Sequence, residues 1–367
     1  MQNNTLSRSE LDTYGKVLNI HYGDVLIKYG SVLDASDQTI PYIVPGNESP
    51  NYVHLQDGDV VIADTAEDET VGKTTEIYNV LGSKIEAGLH TIPCRPMIPF
   101  APKYLGYYMN TSCYHKQLIP LMQGIKVLSV SKGNISKTEI SAPNTLEEQK
   151  KISSLLYLLD QRAAIQSKII EALKKYKRGL LNQVFSSKQS FWTKKRIGDF
   201  CSITMGQSPD SNSYNLDCIG VPLVQGNADI TDGVTTPLRY TSQPTKVCKE
   251  GSILLSVRAP VGTVCIADRE VCLGRGVCAI NSENNAFVRQ LFLYLEPSWK
   301  TIEQGGTFTA ISRNDIENVE VIIPNDASEQ KWIGEYLEQI DLRISQEARM
   351  LQSILSIRLG LMQQLFI

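Results

Sequence analysis

The chain has 367 residues, of which 42% are hydrophobic and 20% charged, and its net charge is −3. The length suits two domains, and the composition excludes a disordered or low-complexity protein. No run approaches the roughly 20 apolar residues of a membrane span and the start, MQNNTLSRSELD, lacks a signal-peptide pattern, so we expect a cytoplasmic protein with no membrane partner.

Residues 1–142, which we term head 1, alternate short β-like runs with turn residues. The runs DVVIAD (59–64), KVLSV (126–130) and TEISAP (138–143) predict strands, and KYLGYYMN (103–110) predicts a short helix. Long polar loops, IHYGDVLIKYG (20–30) and ADTAEDETVGK (63–73), separate them. The pattern indicates an α+β domain with a twisted sheet and few, short helices.

The second of these loops carries an acidic cluster, made of Asp64, Glu67, Asp68 and Glu69. Such a cluster is either a solvated turn or part of a metal site. We favour the turn, because nothing nearby in the sequence completes a site.

Residues 143–188 predict one long helix, spacer helix 1. The helix start is PNTLEEQKKI (143–152), in which Thr145 and Glu148 have the spacing of a capping box. Residues 143–189 hold nine Lys/Arg against four Asp/Glu, so this segment is locally basic despite the acidic total.

Residues 189–323, head 2, show the same alternation. Strands are predicted at SILLSV (252–257), GTVCIA (262–267) and VEVIIP (319–324), and a helix at FVRQLFLYLE (287–296). Its loops TMGQSPDSNSYN (204–215), VQGNADITDG (224–233), SVRAPVGTV (256–264) and LGRGVCAI (273–280) share almost nothing with those of head 1. Arg258 and Arg275 are either surface salt-bridge residues or contacts to phosphates or guanine edges.

Residues 324–367 predict spacer helix 2 and repeat spacer helix 1. At a constant offset of 181, residues 324–366 and 143–185 are identical at 13 of 43 positions, including the helix starts PNDASEQKWI and PNTLEEQKKI. In both copies, steps of four and three residues give a mostly apolar seam whose polar exceptions fall at the same places, Gln166 and Lys177 or Glu347 and Arg358. Two unrelated core helices would not explain these matches, so the heptad pattern predicts a coiled coil about 60 Å long that acts as a spacer. We expect its seam to include Leu159, Leu173, Ile340 and Ile354.

The sequence lacks familiar catalytic signatures. It contains no phosphate-binding Gly-x-x-x-x-Gly-Lys-Ser/Thr loop, no His-Glu-x-x-His and no Asn-Pro-Pro-Tyr-like methyltransferase motif. None of the eight cysteines forms a C-x-x-C pair, so reduced thiols are favoured over a zinc site at Cys272 and Cys278. We therefore expect a non-catalytic chain without a metal.

Together these features resemble the specificity subunit of type I restriction-modification systems. The resemblance covers nearly the whole chain and rests on the repeated helix starts, the helix ends KRGLLNQVF (177–185) and RLGLMQQLF (358–366), and the loops DGDVVIADTAEDETVGK (57–73) and GQSPDSNSYN (206–215). Head 2 opens with WTKKRIGDF (192–200), similar to the usual domain start of that family, whereas the first 19 residues show no clear counterpart.

The resemblance implies a fold of two target-recognition domains held apart by two long antiparallel helices in an internal, pseudo-twofold repeat. Each domain would read one half of a split double-stranded DNA site. The chain itself would have no cofactor and would dock two methyltransferase subunits, with restriction subunits added. S-adenosylmethionine, ATP and Mg would belong to those partners.

At residue level we predict DNA contacts in both heads and partner contacts at the helix starts. The predicted DNA contacts are Lys28, Lys73 and Arg95 in head 1 and Arg239, Arg258, Arg275 and Arg313 in head 2. The predicted partner contacts are Glu148, Gln149, Glu329 and Gln330. Two rival hypotheses are a DNA-free scaffold and an enzyme with an unfamiliar site.

Overall fold

The computed structural model describes residues 1–48, 52–186, 192–304 and 310–366. The chain divides into two compact units: unit 1 comprises Met1–Ser167 and Arg349–Ile367, and unit 2 comprises Lys168–Ala348. Each unit therefore contains one head and a stretch of both spacer helices. The boundary predicted at 188–189 lies outside the described residues. Within the described ranges, none of the helices combines the length and apolarity needed to cross a lipid bilayer.

In the residues that the structure describes, head 1 is built from short strands and four short α-helices. The strands are β1 (Leu11–Asp12), β2 (Val17–Ile20), β3 (Val32–Asp34), β4 (Tyr42–Ile43), β5 (Val60–Ala63), β6 (Thr65–Ala66), β7 (Thr74–Tyr78), β8 (Lys84–Ala87), β9 (Thr91–Cys94) and β10 (Leu128–Ser129). The helices are α1 (Tyr22–Ile27), α2 (Tyr104–Tyr108), α3 (Ser112–Leu118) and α4 (Lys132–Ile135).

Two four-stranded sheets, in the orders β1-β4-β2-β8 and β3-β7-β5-β9, form the frame of head 1. Strand β5 shows how they pack. Val61 and Ala63 point into a core shared with β2 and β8, whereas Val60 and Ile62 point into a second core that includes α2. Because both faces of β5 are covered, its sequence reads as a continuous apolar run.

The spacer helices are α5 (Leu146–Ser186) and α8 (Ala327–Leu365), close to the predicted length. Within unit 1 they complete the second core of head 1, to which α5 contributes Leu156 and α8 contributes Met362, with Phe366 just beyond the end of α8. Within unit 2 they complete a core of head 2 with Leu181 and Leu337. The spacer helices are thus also structural parts of the heads.

The described part of head 2 contains the remaining strands and two α-helices. The strands are β11 (Trp192–Arg196), β12 (Ser202–Met205), β13 (Tyr214–Asn215), β14 (Val221–Val224), β15 (Ile230–Thr231), β16 (Val234–Thr235), β17 (Arg239–Thr241), β18 (Val247–Cys248), β19 (Ile253–Ser256), β20 (Val264–Ile266), β21 (Val271–Leu273), β22 (Val277–Asn281) and β23 (Glu320–Pro324). The helices are α6 (Asn285–Gln304) and α7 (Arg313–Glu317). At 20 residues, α6 is longer than the short helices expected.

The sheets of head 2 repeat those of head 1. The order β13-β17-β14-β21 matches β1-β4-β2-β8, and β16-β20-β19-β22 matches β3-β7-β5-β9. The parallel pair β14–β21 corresponds to β2–β8, and the antiparallel pair β19–β22 corresponds to β5–β9. The internal repeat seen in the helices therefore extends through the heads.

One predicted strand is wrong. VEVIIP forms β23 by pairing with β11, but TEISAP (138–143), its equivalent in head 1, is not a strand. A β-strand is stabilised by hydrogen bonds to a neighbour, and in the described part of the chain no strand equivalent to β11 lies beside TEISAP. The remaining predicted strands and helices of the two heads are confirmed.

Candidate nucleic-acid interface and spacer helices

The repeated helix starts fasten each spacer helix to its own head. Gln149 is buried; its Oε1 accepts a hydrogen bond from Ala101 N at 3.0 Å and its Nε2 donates to Pro143 O at 2.9 Å. In the second copy, Gln330 Nε2 donates to Pro324 O at 2.8 Å. Both glutamines thus hold the helix start against adjacent backbone, and their contact with partner subunits stays a prediction.

The neighbouring glutamates differ between the copies. The N–H of Glu148 donates to Thr145 Oγ1 at 3.3 Å, as a capping residue requires, and the Glu148 side chain is exposed. Glu329 Oε1 instead accepts a hydrogen bond from the indole Nε1 of Trp192 at 3.1 Å. Glu148 thus stays available for a partner, whereas Glu329 ties α8 to β11.

Two of the four polar exceptions in the seam, Lys177 and Arg358, form ion pairs that match across the repeat. In unit 1, Arg358 of α8 pairs with Asp160 of α5, and Asp160 also accepts a hydrogen bond from the Tyr107 hydroxyl of α2 at 2.8 Å. An aspartate of one spacer helix is therefore held by the other helix and by the head.

Unit 2 repeats the arrangement with the two helices exchanged. Lys177 of α5 pairs with Asp341 of α8 at 2.5 Å, and Gln290 Nε2 of α6 donates to Asp341 at 2.9 Å. Burial lowers the pKa of Lys177, with the Asp341 carboxylate opposing that effect. Because a partly buried charge is favourable only opposite its partner, these pairs fix the antiparallel register within each unit.

The predicted seam residues differ in burial. Ile354 is buried, whereas Leu159, Leu173 and Ile340 are half-buried. Ile340 also packs against the core of head 2. The seam therefore contributes to the core of a head as well as to the pairing of the two helices.

In head 2, loops from distant parts of the sequence meet where β14 and β21 end. The two strands are parallel, with Val224 beside Leu273, so both finish at the same edge. Beyond them, Gly274 N donates to Val224 O at 2.7 Å and Gly276 N donates to Gln225 O at 3.1 Å. The chain segments after the two strands therefore remain paired.

A third segment of the chain packs against the two that follow β14 and β21. Gly206 N donates to Val277 O at 3.0 Å. A Cβ atom at Gly206 would lie 2.1 Å from Gly274 O, and one at Gly276 would lie 2.2 Å from Gln225 O. Only glycine permits such close backbone packing. We call residues 206–208, 225–226 and 274–276 the loop platform of head 2.

The platform presents Arg275 to solvent on a rigid backbone. The Arg275 side chain is exposed, and its backbone N–H donates to Ser208 Oγ at 3.1 Å. Beside it, Gln225 Nε2 donates to the Tyr214 hydroxyl at 3.2 Å. A guanidinium next to an amide supplies groups that bind phosphates and the edges of bases.

Two further predicted arginines lie at the same edge. Val257 N donates to Gly276 O at 2.8 Å, which places the exposed Arg258 next to the platform. Arg239 is exposed and stands opposite Leu223 in β17, near the end of β14. Arg313 differs, because its Nε pairs with Glu317 one helical turn away at 2.7 Å.

The cations predicted in head 1 are engaged within that head. Lys73 Nζ donates to Leu26 O at 2.6 Å, and burial lowers the pKa of Lys73. Lys28 Nζ donates to Thr39 O, although the residue is exposed. Both side chains therefore hold loops together, which reduces their availability for phosphates.

Arg95 lies away from the edge of head 1 that corresponds to the loop platform of head 2. Its Nε and Nη2 bind the buried carboxylate of Asp59 at 2.8 and 2.6 Å. Asp59 precedes β5, and Arg95 follows β9, which is antiparallel to β5. The ion pair thus lies at the end of β5 opposite to Asp64, and we assign it a structural role.

The acidic loop and the cysteines have local explanations. Asp68 Oδ1 accepts hydrogen bonds from the backbone N and the Oγ1 of Thr70, as in a turn. All eight cysteines are free thiols, and Cys272 and Cys278 are buried in β21 and β22, which belong to different sheets. In the ranges that the structure describes, no group of three or more His, Cys, Asp or Glu side chains is placed to hold a metal ion.

The chain is similar to known proteins in both sequence and fold. Residues 189–356 match the family described as type I restriction modification DNA specificity domain. The chain is 32% identical, over 309 residues, to the putative type I restriction enzyme MjaX specificity subunit of Methanocaldococcus jannaschii, covering 77% of this chain and 72% of that protein.

Two solved structures support the fold. One, from work on complex assembly and conformational transition of the type I R-M system, is 25% identical with a TM-score of 0.61 and covers 95% of this chain and 90% of its own. The other is the type I restriction-modification S subunit from M. genitalium, 14% identical with a TM-score of 0.66, covering 100% of this chain and 93% of its own.

Proposed function

Because the chain belongs to the family of type I restriction-modification specificity subunits, we propose that each head reads one half of a bipartite, asymmetric double-stranded DNA site. This proposal rests on one observation: the two heads share the same strand arrangement but have different loops. The two heads share their strand order, but the exposed edge of that frame carries Arg275 and Gln225 in head 2 and different residues in head 1. Two similar heads with different reading surfaces suit a site whose halves differ.

The chain acts without catalysing a reaction itself. Its family consists of non-catalytic specificity subunits, and the chemistry would come from the subunits that it brings to DNA. We propose that these are two methyltransferase subunits, which use S-adenosylmethionine to modify adenine, and restriction subunits that use ATP and Mg.

Exposed apolar side chains on the spacer helices support docking of the methyltransferase subunits. In unit 2, Trp332 and Tyr336 stack at 5.7 Å and are 65% and 45% exposed, and Tyr336 is hydrogen-bonded to Tyr176, which is 53% exposed. We call these three residues the aromatic patch. At the equivalent positions, unit 1 carries Lys151, Leu155 and Ile357. Aromatic side chains exposed together are typical of protein interfaces.

The DNA proposal is tested with Arg275→Ala in the full chain, purified with its methyltransferase partner. Random-sequence duplexes are selected by binding and sequenced, and the affinities are then measured by band shift at one salt concentration. We expect the substitution to weaken binding by about 1–3 kcal/mol and to relax selection in one half-site only, since an arginine at a base edge contributes about that much.

Arg269→Ala is the matched control. Arg269 is also exposed but precedes β21, whereas Arg275 follows it, and its Nη2 pairs with Asp268 at 2.8 Å. An equal loss in both variants would show that only net charge matters. A wild-type complex that enriches no sequence would favour a DNA-free scaffold.

A further inference from the structure

We call the edge of head 1 at which β2 and β8 end its reading edge, because it corresponds to the edge of head 2 that carries the loop platform. In the parallel pair β2–β8, Ile20 stands beside Ala87, as Val224 stands beside Leu273 in β14–β21. Gly88 N donates to Ile20 O at 2.9 Å, repeating the bond from Gly274 to Val224. The residues that follow each strand therefore occupy equivalent places.

Two of these places in head 1 are filled by histidines and one by a leucine. His21 takes the position of Gln225, and Leu89 and His90 take those of Arg275 and Gly276. The His21 ring lies 4.7 Å from the ring of Tyr22, which lies 5.3 Å from that of His90 in an edge-on contact. We call His21, Tyr22 and His90 the aromatic cluster of head 1.

His21 anchors the aromatic cluster in the interior of head 1. His21 is buried, and its Nδ1 accepts a hydrogen bond from Gly23 N at 3.2 Å, which caps α1. Burial, assisted by the nearby Arg8 guanidinium, lowers the pKa of His21. His21 is thus a neutral support for Tyr22.

His90 is the most exposed member of the cluster, and Tyr22 is half-buried. The His90 side chain is 48% exposed, and its Nδ1 lies 3.3 Å from Asp64 Oδ1 and 3.4 Å from Thr65 Oγ1. Its backbone has a φ of 54°, a left-handed conformation that residues other than glycine adopt infrequently. Such backbone strain concentrates at functional positions.

We propose that His90 and Tyr22 read base edges in the first half-site, doing for head 1 what Arg275 and Gln225 do for head 2. An imidazole and a phenol hydroxyl each donate and accept hydrogen bonds, which suits them to base edges. The inference rests on the proposed function and names its reading residues in head 1. It moves the DNA-contacting role away from Lys73 and Arg95, which bind Leu26 O and Asp59.

His90→Asn and Tyr22→Phe test this proposal in the full chain with its methyltransferase partner. Asparagine tolerates the left-handed backbone, and phenylalanine keeps the ring but removes the hydroxyl, so both variants should fold, which circular dichroism checks. The probe is the library of random-sequence duplexes. Each variant should bind the wild-type site about 10-fold more weakly and accept additional bases in one half-site, while the other stays intact.

The control is Lys84→Ala, which removes an exposed charge at the opposite end of β8. Relaxation in the half-site opposite to the one that Arg275→Ala affects supports the proposal. Unchanged selection by both variants overturns it, as does relaxation in the same half-site as Arg275→Ala. A wild-type complex without any sequence preference would instead refute the proposed function.

Discussion

Strand β7 of head 1 carries a buried glutamate, Glu76, where strand β20 of head 2 carries Ile266. Glu76 pairs with Val60 at the start of β5, as Ile266 pairs with Ile253 at the start of β19. The Glu76 carboxylate accepts hydrogen bonds from the backbone of α2, including Gly106 N at 2.9 Å. The two heads therefore keep one strand order, while head 1 carries an acid with local partners where head 2 carries a half-buried isoleucine.

This comparison shows that the two copies of the repeat keep the same residue where the contacts of its side chain lie within its own unit. Leu156 and Leu337, Asp160 and Asp341, and Gln149 and Gln330 are related by the offset of 181 and have comparable contacts in their own units. Under the proposed function, residues at the reading edges bind DNA rather than the frame, which leaves them free to differ between the heads.

The largest expected effect comes from the matched pair Leu156→Ala and Leu337→Ala. Both side chains are 0% exposed, and truncating such a leucine lowers the free energy of unfolding by about 2–5 kcal/mol. All three tryptophans, Trp192, Trp299 and Trp332, belong to unit 2. In urea unfolding, Leu337→Ala should shift the tryptophan fluorescence transition, whereas Leu156→Ala should shift mainly the circular dichroism transition.

Leu158→Ala is the control, because this side chain is 61% exposed and its loss should change stability by no more than about 0.5 kcal/mol. If Leu156→Ala and Leu337→Ala move the fluorescence transition equally, the two units unfold together and the comparison between them fails.

An intermediate effect is expected for partner docking. Tyr336→Ala removes the centre of the aromatic patch, and Leu155→Ala is the equivalent change in unit 1. An exposed aromatic anchor contributes about 1–3 kcal/mol to an interface, more than a leucine does. Native mass spectrometry during dilution should therefore show earlier loss of a methyltransferase subunit from Tyr336→Ala. Retention of both subunits, as in the control Glu171→Ala, would argue against docking on this patch.

The smallest expected effect is a pH dependence confined to head 1. Burial raises the pKa of Glu76 to about 7. Because the folded state holds this proton more tightly than the unfolded state, the associated stability is present at low pH and is lost as pH rises towards and through about 7. Relative to Glu76→Gln, which cannot titrate, the wild type should lose about 1–3 kcal/mol between about pH 5 and pH 8.

Urea unfolding followed by circular dichroism measures this difference at each pH. Ile266→Val in head 2 is the control, since its stability difference from the wild type should stay constant with pH. Parallel curves for the wild type and Glu76→Gln would mean that the carboxylate is already ionised in the folded protein.

Much of the frame could be predicted from the sequence because its signals are local. The helix starts at Thr145 and Asp326, the seam and its matched polar positions depend on residues a few places apart, and the offset of 181 revealed the repeat. The sequence also marked Arg275 through its flanking glycines, although it did not indicate that Gly274 and Gly276 pack against Gln225.

Tertiary structure decided the features that depend on distant partners. TEISAP has the composition of a strand but lacks a neighbour like β11 in the described chain, and Gln149 resembles a surface residue until Ala101 N is placed beside it. His21 and His90 are far apart in sequence and become neighbours of Tyr22 only because β2 pairs with β8. By itself the sequence determined the helices and the repeat, because the signals that mark them lie within a few turns of one helix or recur at a fixed offset. Strand pairing decided which side chains meet at the reading edges, because that depends on contacts between distant segments.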